Sequence, residues 1–164
     1  MDQYLNEVKD SYVIFSIGEH RFGLNLEAVS EINGIEDMII FEDLPSNMLG
    51  IIRVRDSYIP VYSLIEKFNI PPTKDNKQLR KRIVTHFHNK SVAFEVEAVL
   101  GVEKIFKEEI YPVPRFLKFR SNKHIKQIAN KDEEVILLLD EKTILDEREY
   151  DEILDIISTN LQRQ

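Results

Sequence analysis

The sequence predicts a mainly β protein built as two packed five-stranded β-barrel lobes, with short connecting helices and a C-terminal α-helix. Three observations predict this. Short apolar segments of strand length recur with turn residues between them. The pattern repeats once along the chain, with RFGLNLEAV (21–29) answering SVAFEVEAV (91–99). A sustained helical stripe falls near the C-terminus.

In the first half, YVIFSI (12–17) is apolar and β-rich, Gly18 and Glu19 form a turn, and RFGLNL (21–26) alternates. Phe22, Leu24 and Leu26 share one face, so this is a hairpin with one buried side. The spacing of Ala28, Val29 and Ile32 predicts one or two helical turns over 27–32. A further strand is expected over 38–41, ended by Leu44-Pro45. LGIIRVRDSYIPVYSL (49–64) supplies two more strands around an Asp56-Ser57 turn. Ile52 and Val54 face one way; Ile51, Arg53 and Arg55 face the other. Proline cannot donate to a ladder, so Pro60 calls for an edge strand or a nitrogen that needs no bond. Residues 62–68 are expected to form a short helix.

NIPPTKDNKQ (69–78) reads as an internal linker. Beyond it, 82–88 and 91–96 form a hairpin turning at Asn89-Lys90, and 101–106 is a strand. Residues 107–124 read as an irregular connection containing Pro112 and Pro114, followed by strands at 125–129 and 135–139. Tyr150, Ile153, Leu154, Ile157 and Leu161 make the helical stripe, with Asp146 and Glu149 spaced as a capping box. In the repeat, Glu27, Ala28 and Val29 match Glu97, Ala98 and Val99, and YIPVYSLIEKF answers VILLLDEKTIL. The expected organisation is one domain spanning 1–164. Its first lobe is about 11–78, its second 79–146, and its helix 147–164. Small barrels close their edges poorly, so each lobe leans on the other or on a partner.

Composition narrows the function. The 164 residues are 43% hydrophobic and 31% charged, a globular balance. No apolar run reaches membrane-helix length, and MDQYLNEVKD has no signal-peptide core, so a cytoplasmic location is expected. There are no cysteines, which removes disulfides and thiolate metal sites. A net charge of −7 disfavours nucleic acid as the main partner. P-loop, G-x-S-x-G, G-x-G-x-x-G and H-E-x-x-H motifs are missing. The pairs Glu108-Glu109 and Glu133-Glu134 read as solvated turns, because neighbouring side chains diverge. No enzyme activity or cofactor is expected.

Taken in order, the segments resemble the CheW-like domain family of bacterial chemotaxis adaptors. YVIFSIGEHRFGLNLEAVSEI is similar to the family's opening strand, G-turn, alternating strand and V-x-E-[VI]. LPSNMLGIIRVRDSYIPVYSL is similar to its L-P and L-G-[VI]-I-x-[LV]-R-G-x-x-[VI]-P-V-x-D-L. VAFEVEAVLGV and LLLD (137–140) resemble the matching parts of the second half. The likeness covers about 11–146. Here Asp56 stands at the family's glycine, Ser63 at its aspartate and Arg53 at its asparagine.

The resemblance implies two intertwined SH3-like barrels and no catalysis. It also implies binding to the regulatory domain of the histidine kinase CheA through barrel ends. A groove between the lobes would take the cytoplasmic tip of methyl-accepting chemoreceptors, so contact with the membrane would be indirect. Two other readings stand beside it: an adaptor of a pilus or gliding-type pathway, and a small β-barrel module binding a ligand or oligonucleotide.

The resemblance singles out Glu31 and Arg55 as partner-binding, joined by a charge-assisted bond. The alternative is a rim salt bridge worth up to about 1 kcal/mol. Val29, Ile32, Ile52 and Val54 are candidate groove residues, and ordinary core is their other reading. His86 and His88 share a strand face without a third metal ligand, so no metal site is expected. The basic clusters KQLRKR (77–82) and RFLKFRSNKHIK (115–126) read as solvated loops or as complements to an acidic partner; the aromatics of the second also suit single-stranded nucleic acid.

Overall fold

The computed structural model describes residues 9–73, 77–87, 89–114, 122–145 and 147–162. Eleven strands run in chain order: β1 (Lys9–Ile17), β2 (His20–Asn25), β3 (Val29–Asn33), β4 (Met48–Val54), β5 (Ser57–Ser63), β6 (Lys81–Phe87), β7 (Lys90–Val96), β8 (Ala98–Phe106), β9 (Ile110–Tyr111), β10 (Ile125–Lys131) and β11 (Glu134–Leu139). Helix α1 (Leu64–Phe68) follows β5, and α2 (Glu141–Ile144) follows β11. Helix α3 (Glu147–Gln162) closes the described chain. The protein is mainly β, as the sequence predicts, with its strands in two sheets.

The sheets do not follow the order of the chain. One sheet has six strands in the order β8-β1-β2-β11-β10-β9; the other has five, β3-β6-β7-β5-β4. The first hairpin of each half pairs with strands from the other half, across the 69–78 segment. β1 lies antiparallel to β8 and β2 parallel to β11. In the same way β6 lies antiparallel to β3 and β7 parallel to β5. The repeat is therefore real but interleaved. Leu138 opposes Gly23 as Val61 opposes Ala93, at equivalent repeat positions.

Alternation along the strands feeds three cores. Tyr12 and Ile14 join Ile105, Ala129, Ile136 and Leu138 inside the first subdomain. Ile52, Ile59, Val61, Val84 and Ala93 fill the second. Between them lies the largest cluster, where Val13, Phe15 and Ile17 meet Ile83, Val92, Phe94 and Val96. Tyr150, Ile153 and Ile157 of α3 join that central core, and Leu154 packs against it. Four of the five predicted stripe residues are thus on the buried face; the side chain of Leu161 lies outside the described residues, as does Asp146 of the capping box.

Local chemistry shapes the ends. Ser63 caps α1 by accepting from the Glu66 N–H at 3.1 Å, and Asp140 caps α2 by accepting from the Lys142 N–H at 3.1 Å. Ser63 thus does in one half what Asp140 does in the other. Glu97 Oε1 accepts from the Gly18 and Thr73 N–H groups, both at 2.9 Å, tying the β1–β2 turn to the middle of the linker. Buried Glu95 pairs with Arg82 at 3.2 Å and Arg80 at 3.4 Å, and Arg82 also donates to the Glu36 carbonyl at 2.9 Å.

Some elements differ from expectation. The predicted helix over 27–32 is a single 3₁₀ turn (Leu26–Ala28) followed by β3. The strand expected over 38–41 is one bridge, Ile39 to Ile51, with backbone bonds of 2.8 and 2.9 Å. Gly50 permits this approach, since a Cβ there would lie 2.5 Å from the Ile39 carbonyl oxygen. β5 is an interior strand. Its ladder with β7 covers Val61 to Ser63, so Pro60 lies before the parallel pairing begins.

Candidate docking surface

The surface is built from two bulged strands. In β3 the register runs Val29 to Thr85, then Glu31 to Val84 and Ile32 to Ile83, leaving Ser30 as the extra residue. Thr85 and Ile83 share a face, so the bulge places Val29 and Ile32 on that face although they are three residues apart. β8 does the same at the equivalent place. Val99 opposes Phe15, Gly101 opposes Ile14 and Val102 opposes Val13, with Leu100 extra. Val29 and Val99 therefore both pack on the central core from opposite sheets. Ile32 (38% exposed), Leu100 (48%) and Val102 (54%) remain open to solvent at its margins.

The predicted residues divide on this geometry. Val29 and Ile32 lie together on β3, facing the seam. Ile52 is 5% exposed inside the second subdomain, and Val54 packs half-buried against the same cluster. They support the β4–β5 hairpin rather than lining the seam. Glu31, half-buried, opposes Val84 of that inner core, and the Asn33 amide, oriented to satisfy both its ends, donates to Glu31 Oε2 at 3.2 Å. No ion pair joins Glu31 to Arg55, against the expectation of a charge-assisted bond. β3 and β4 lie at opposite ends of the sheet order, and Arg55 sits exposed in the β4–β5 turn.

Arg55 has φ 57°, the left-handed position of this turn. With Arg55 taking that conformation, Asp56 needs no glycine. Arg53 lies 3.7 Å from Asp56 across the turn, so two departures from the family pattern pair with each other. Sequence reasoning missed Leu100 and Val102. The repeat carried the signal, because continuing the Glu-Ala-Val match sets Val102 on Ile32.

The remaining candidates lie elsewhere. His86 is exposed at the end of β6, and His88 lies outside the described residues. Among the described residues no group of three His, Asp or Glu side chains converges as a metal site. Of the 115–126 cluster, 115–121 lie outside the described residues. No helix among the described residues is long and apolar enough to cross a membrane.

Comparison with known proteins agrees with this architecture. The family model for the CheW-like domain matches residues 11–149. The chain is 26% identical to a probable chemotaxis protein CheW of Rhizobium etli, over 88% of this chain and 93% of that protein. It is 23% identical to the chemotaxis protein CheW of Klebsiella aerogenes, over 87% of this chain and 85% of that one. The crystal structure of the scaffolding protein TtCheW from Thermoanaerobacter tengcongensis superposes with a TM-score of 0.75 at 22% identity, covering 87% of this chain and 91% of that one. With the family model spanning both interleaved halves, the chain belongs to the CheW-like domain family, the non-catalytic adaptors of chemotaxis signalling.

Proposed function

We propose that this adaptor works in the cytoplasm, holding methyl-accepting chemoreceptors and the regulatory domain of the histidine kinase CheA in one arrangement. The observation that supports it most is the apolar margin of the central seam. Ile32, Leu100 and Val102 are exposed on two bulged strands whose inner residues are locked into the core. Such a surface is rigid before contact, so docking loses little conformational entropy. Val29 and Ile32 form one wall of the site, and Glu31 lies on the other face of the same strand, where it offers a separate polar contact. Arg55 forms a separate contact at the turn, and Ile52 and Val54 hold that turn from beneath. The first half of the chain (11–78) would thus carry most of the partner contacts, and the second (79–146) the opposing wall.

The test is Arg55→Asn, a substitution that tolerates a positive φ, so the turn survives. The variant should melt like wild type and retain less than about a tenth of its binding to a CheA regulatory fragment or a receptor cytoplasmic fragment, as for loss of a charged hot spot. Unchanged capture of both fragments would remove Arg55 from the contact surface. Ile32→Glu should weaken receptor binding in the same assay.

A further inference from the structure

The repeat holds an asymmetry that the adaptor reading leaves unused. Equivalent strands carry equivalent residues on both subdomains. Ile128 opposes Leu137 as Ile51 opposes Pro60, and Ile125 opposes Leu139 as Met48 opposes Tyr62, each ladder with a bulge at the same place. The bridge of Ile39 to Ile51 has its counterpart in the pairing of Tyr111 with Ile128. In the second subdomain α3 covers one end of this face, and Ile39, Phe41 and Leu44 pack over the other. Tyr150 donates to the Ser91 carbonyl at 2.9 Å, Asp151 meets Lys90 at 3.1 Å, and Glu149 accepts from Tyr62 at 3.1 Å and Lys67 at 3.3 Å.

The first subdomain has the same face and, among the described residues, no such helix. Helix α2 is followed by α3, but α1 is followed by the linker, which runs back to the β1–β2 turn. Met48, Ile51 and Pro60 are buried, whereas their counterparts Ile125, Ile128 and Leu137 are only half-buried. They line an open trough of about 650 Å³ with Val135, 50% exposed, and a rim of Glu19, His20, Arg21 and Glu134, in which Arg21 is paired with Glu134 and His20 is left as the cation that faces a ligand. His20 stands where Lys90 stands in the covered face. Lys123, at the adjoining end, is exposed and makes no ion pair among the described residues.

We propose that this trough is a second helix seat, taken by an amphipathic α-helix of a partner protein with acidic residues in its first turn. The occupied seat defines the ligand chemistry. Apolar side chains at i, i+3, i+4 and i+7 fill the floor, and acids meet His20 and Lys123 as Asp151 meets Lys90. The seat is separate from the seam and from Arg55, so it does not rest on the receptor reading.

The probe is a synthetic peptide of residues 147–162, EREYDEILDIISTNLQ, which already fits the equivalent face. It is titrated into the isotope-labelled full chain and followed by amide chemical shifts. Saturable changes are expected at His20, Ile128, Val135 and Leu137. Val135→Glu should weaken binding about tenfold by placing an acid on the apolar floor, and Val113→Glu serves if that variant does not fold. Ile32→Glu should leave peptide binding unchanged, which separates this seat from the seam. Four results would each overturn the proposal. These are no saturable change, changes centred on Lys90 and Ser91 from exchange with the chain's own helix, side chains of 115–121 already filling the trough in the free protein, or trough shifts that follow protein concentration alone, which would make a second copy the occupant.

Discussion

His124 shows how one buried side chain ties stability to pH. It is 3% exposed, its ring centroid lies 6.1 Å from that of Phe68, and its Nδ1 has no hydrogen-bond partner among the described residues. Burial, and after it the Lys67 ammonium, push its pKa below the ordinary 6.5. The unfolded chain therefore binds the proton more readily than the folded one. By linkage, the stability from the neutral ring is complete above about pH 6.5 and falls as pH drops toward the lowered folded value. His124→Leu removes this dependence. Urea unfolding of both proteins from about pH 8 to about pH 5 should show the wild-type advantage over the variant shrinking on the acid side. A difference that stays constant with pH would mean that the imidazole is not the group responsible.

At the scale of elements, the turns carry strain that can be removed. The β10–β11 hairpin turns through Asp132 (φ 50°) and Glu133 (φ 67°), both left-handed, between the paired Lys131 and Glu134. Two positive φ values in a two-residue loop call for Asn-Gly. Replacing Asp132-Glu133 by Asn-Gly should raise stability by about 1 kcal/mol in urea unfolding, without altering partner binding. No gain would show that the native pair is compensated elsewhere. The same elements explain what was legible in the sequence. The paired strands of β1–β2, β4–β5 and β6–β7 were readable because apolar pattern and turn residues agree, and β10 and β11 were readable as strands. β3 was misread as helix for a physical reason: its bulge puts Val29 and Ile32 on one face at a spacing of three, which imitates a helical period. β8 was read as a strand from 101 onward, but its bulge at Leu100 breaks the alternation that would set Val99 and Val102 on one face, so half of the candidate surface escaped residue-by-residue reading.

At the scale of the whole molecule, the decisive feature is the exchange of hairpins. Each half was legible as a set of strands, and the repeat showed that the sets match. Strand patterning did not show the exchange, which only the family resemblance implied, because alternation fixes which face of a strand is buried and leaves its neighbour open. A β1–β2 hairpin could satisfy its apolar face on either lobe. The pairs β1–β8, β2–β11, β3–β6 and β5–β7 all cross the 69–78 connection, and the central core draws on both halves. Neither half alone can therefore complete a sheet or bury Phe15, Ile83 and Phe94. Cutting the chain between Thr73 and Lys77 tests this directly. The separate fragments should lack a cooperative unfolding transition, and an equimolar mixture should recover a single one, because both subdomains share the core between them. Circular dichroism melting of each fragment and of the mixture reads the result. A fragment that melts cooperatively by itself would show that a lobe can close on its own strands, and the exchange would then not be what holds the two subdomains together.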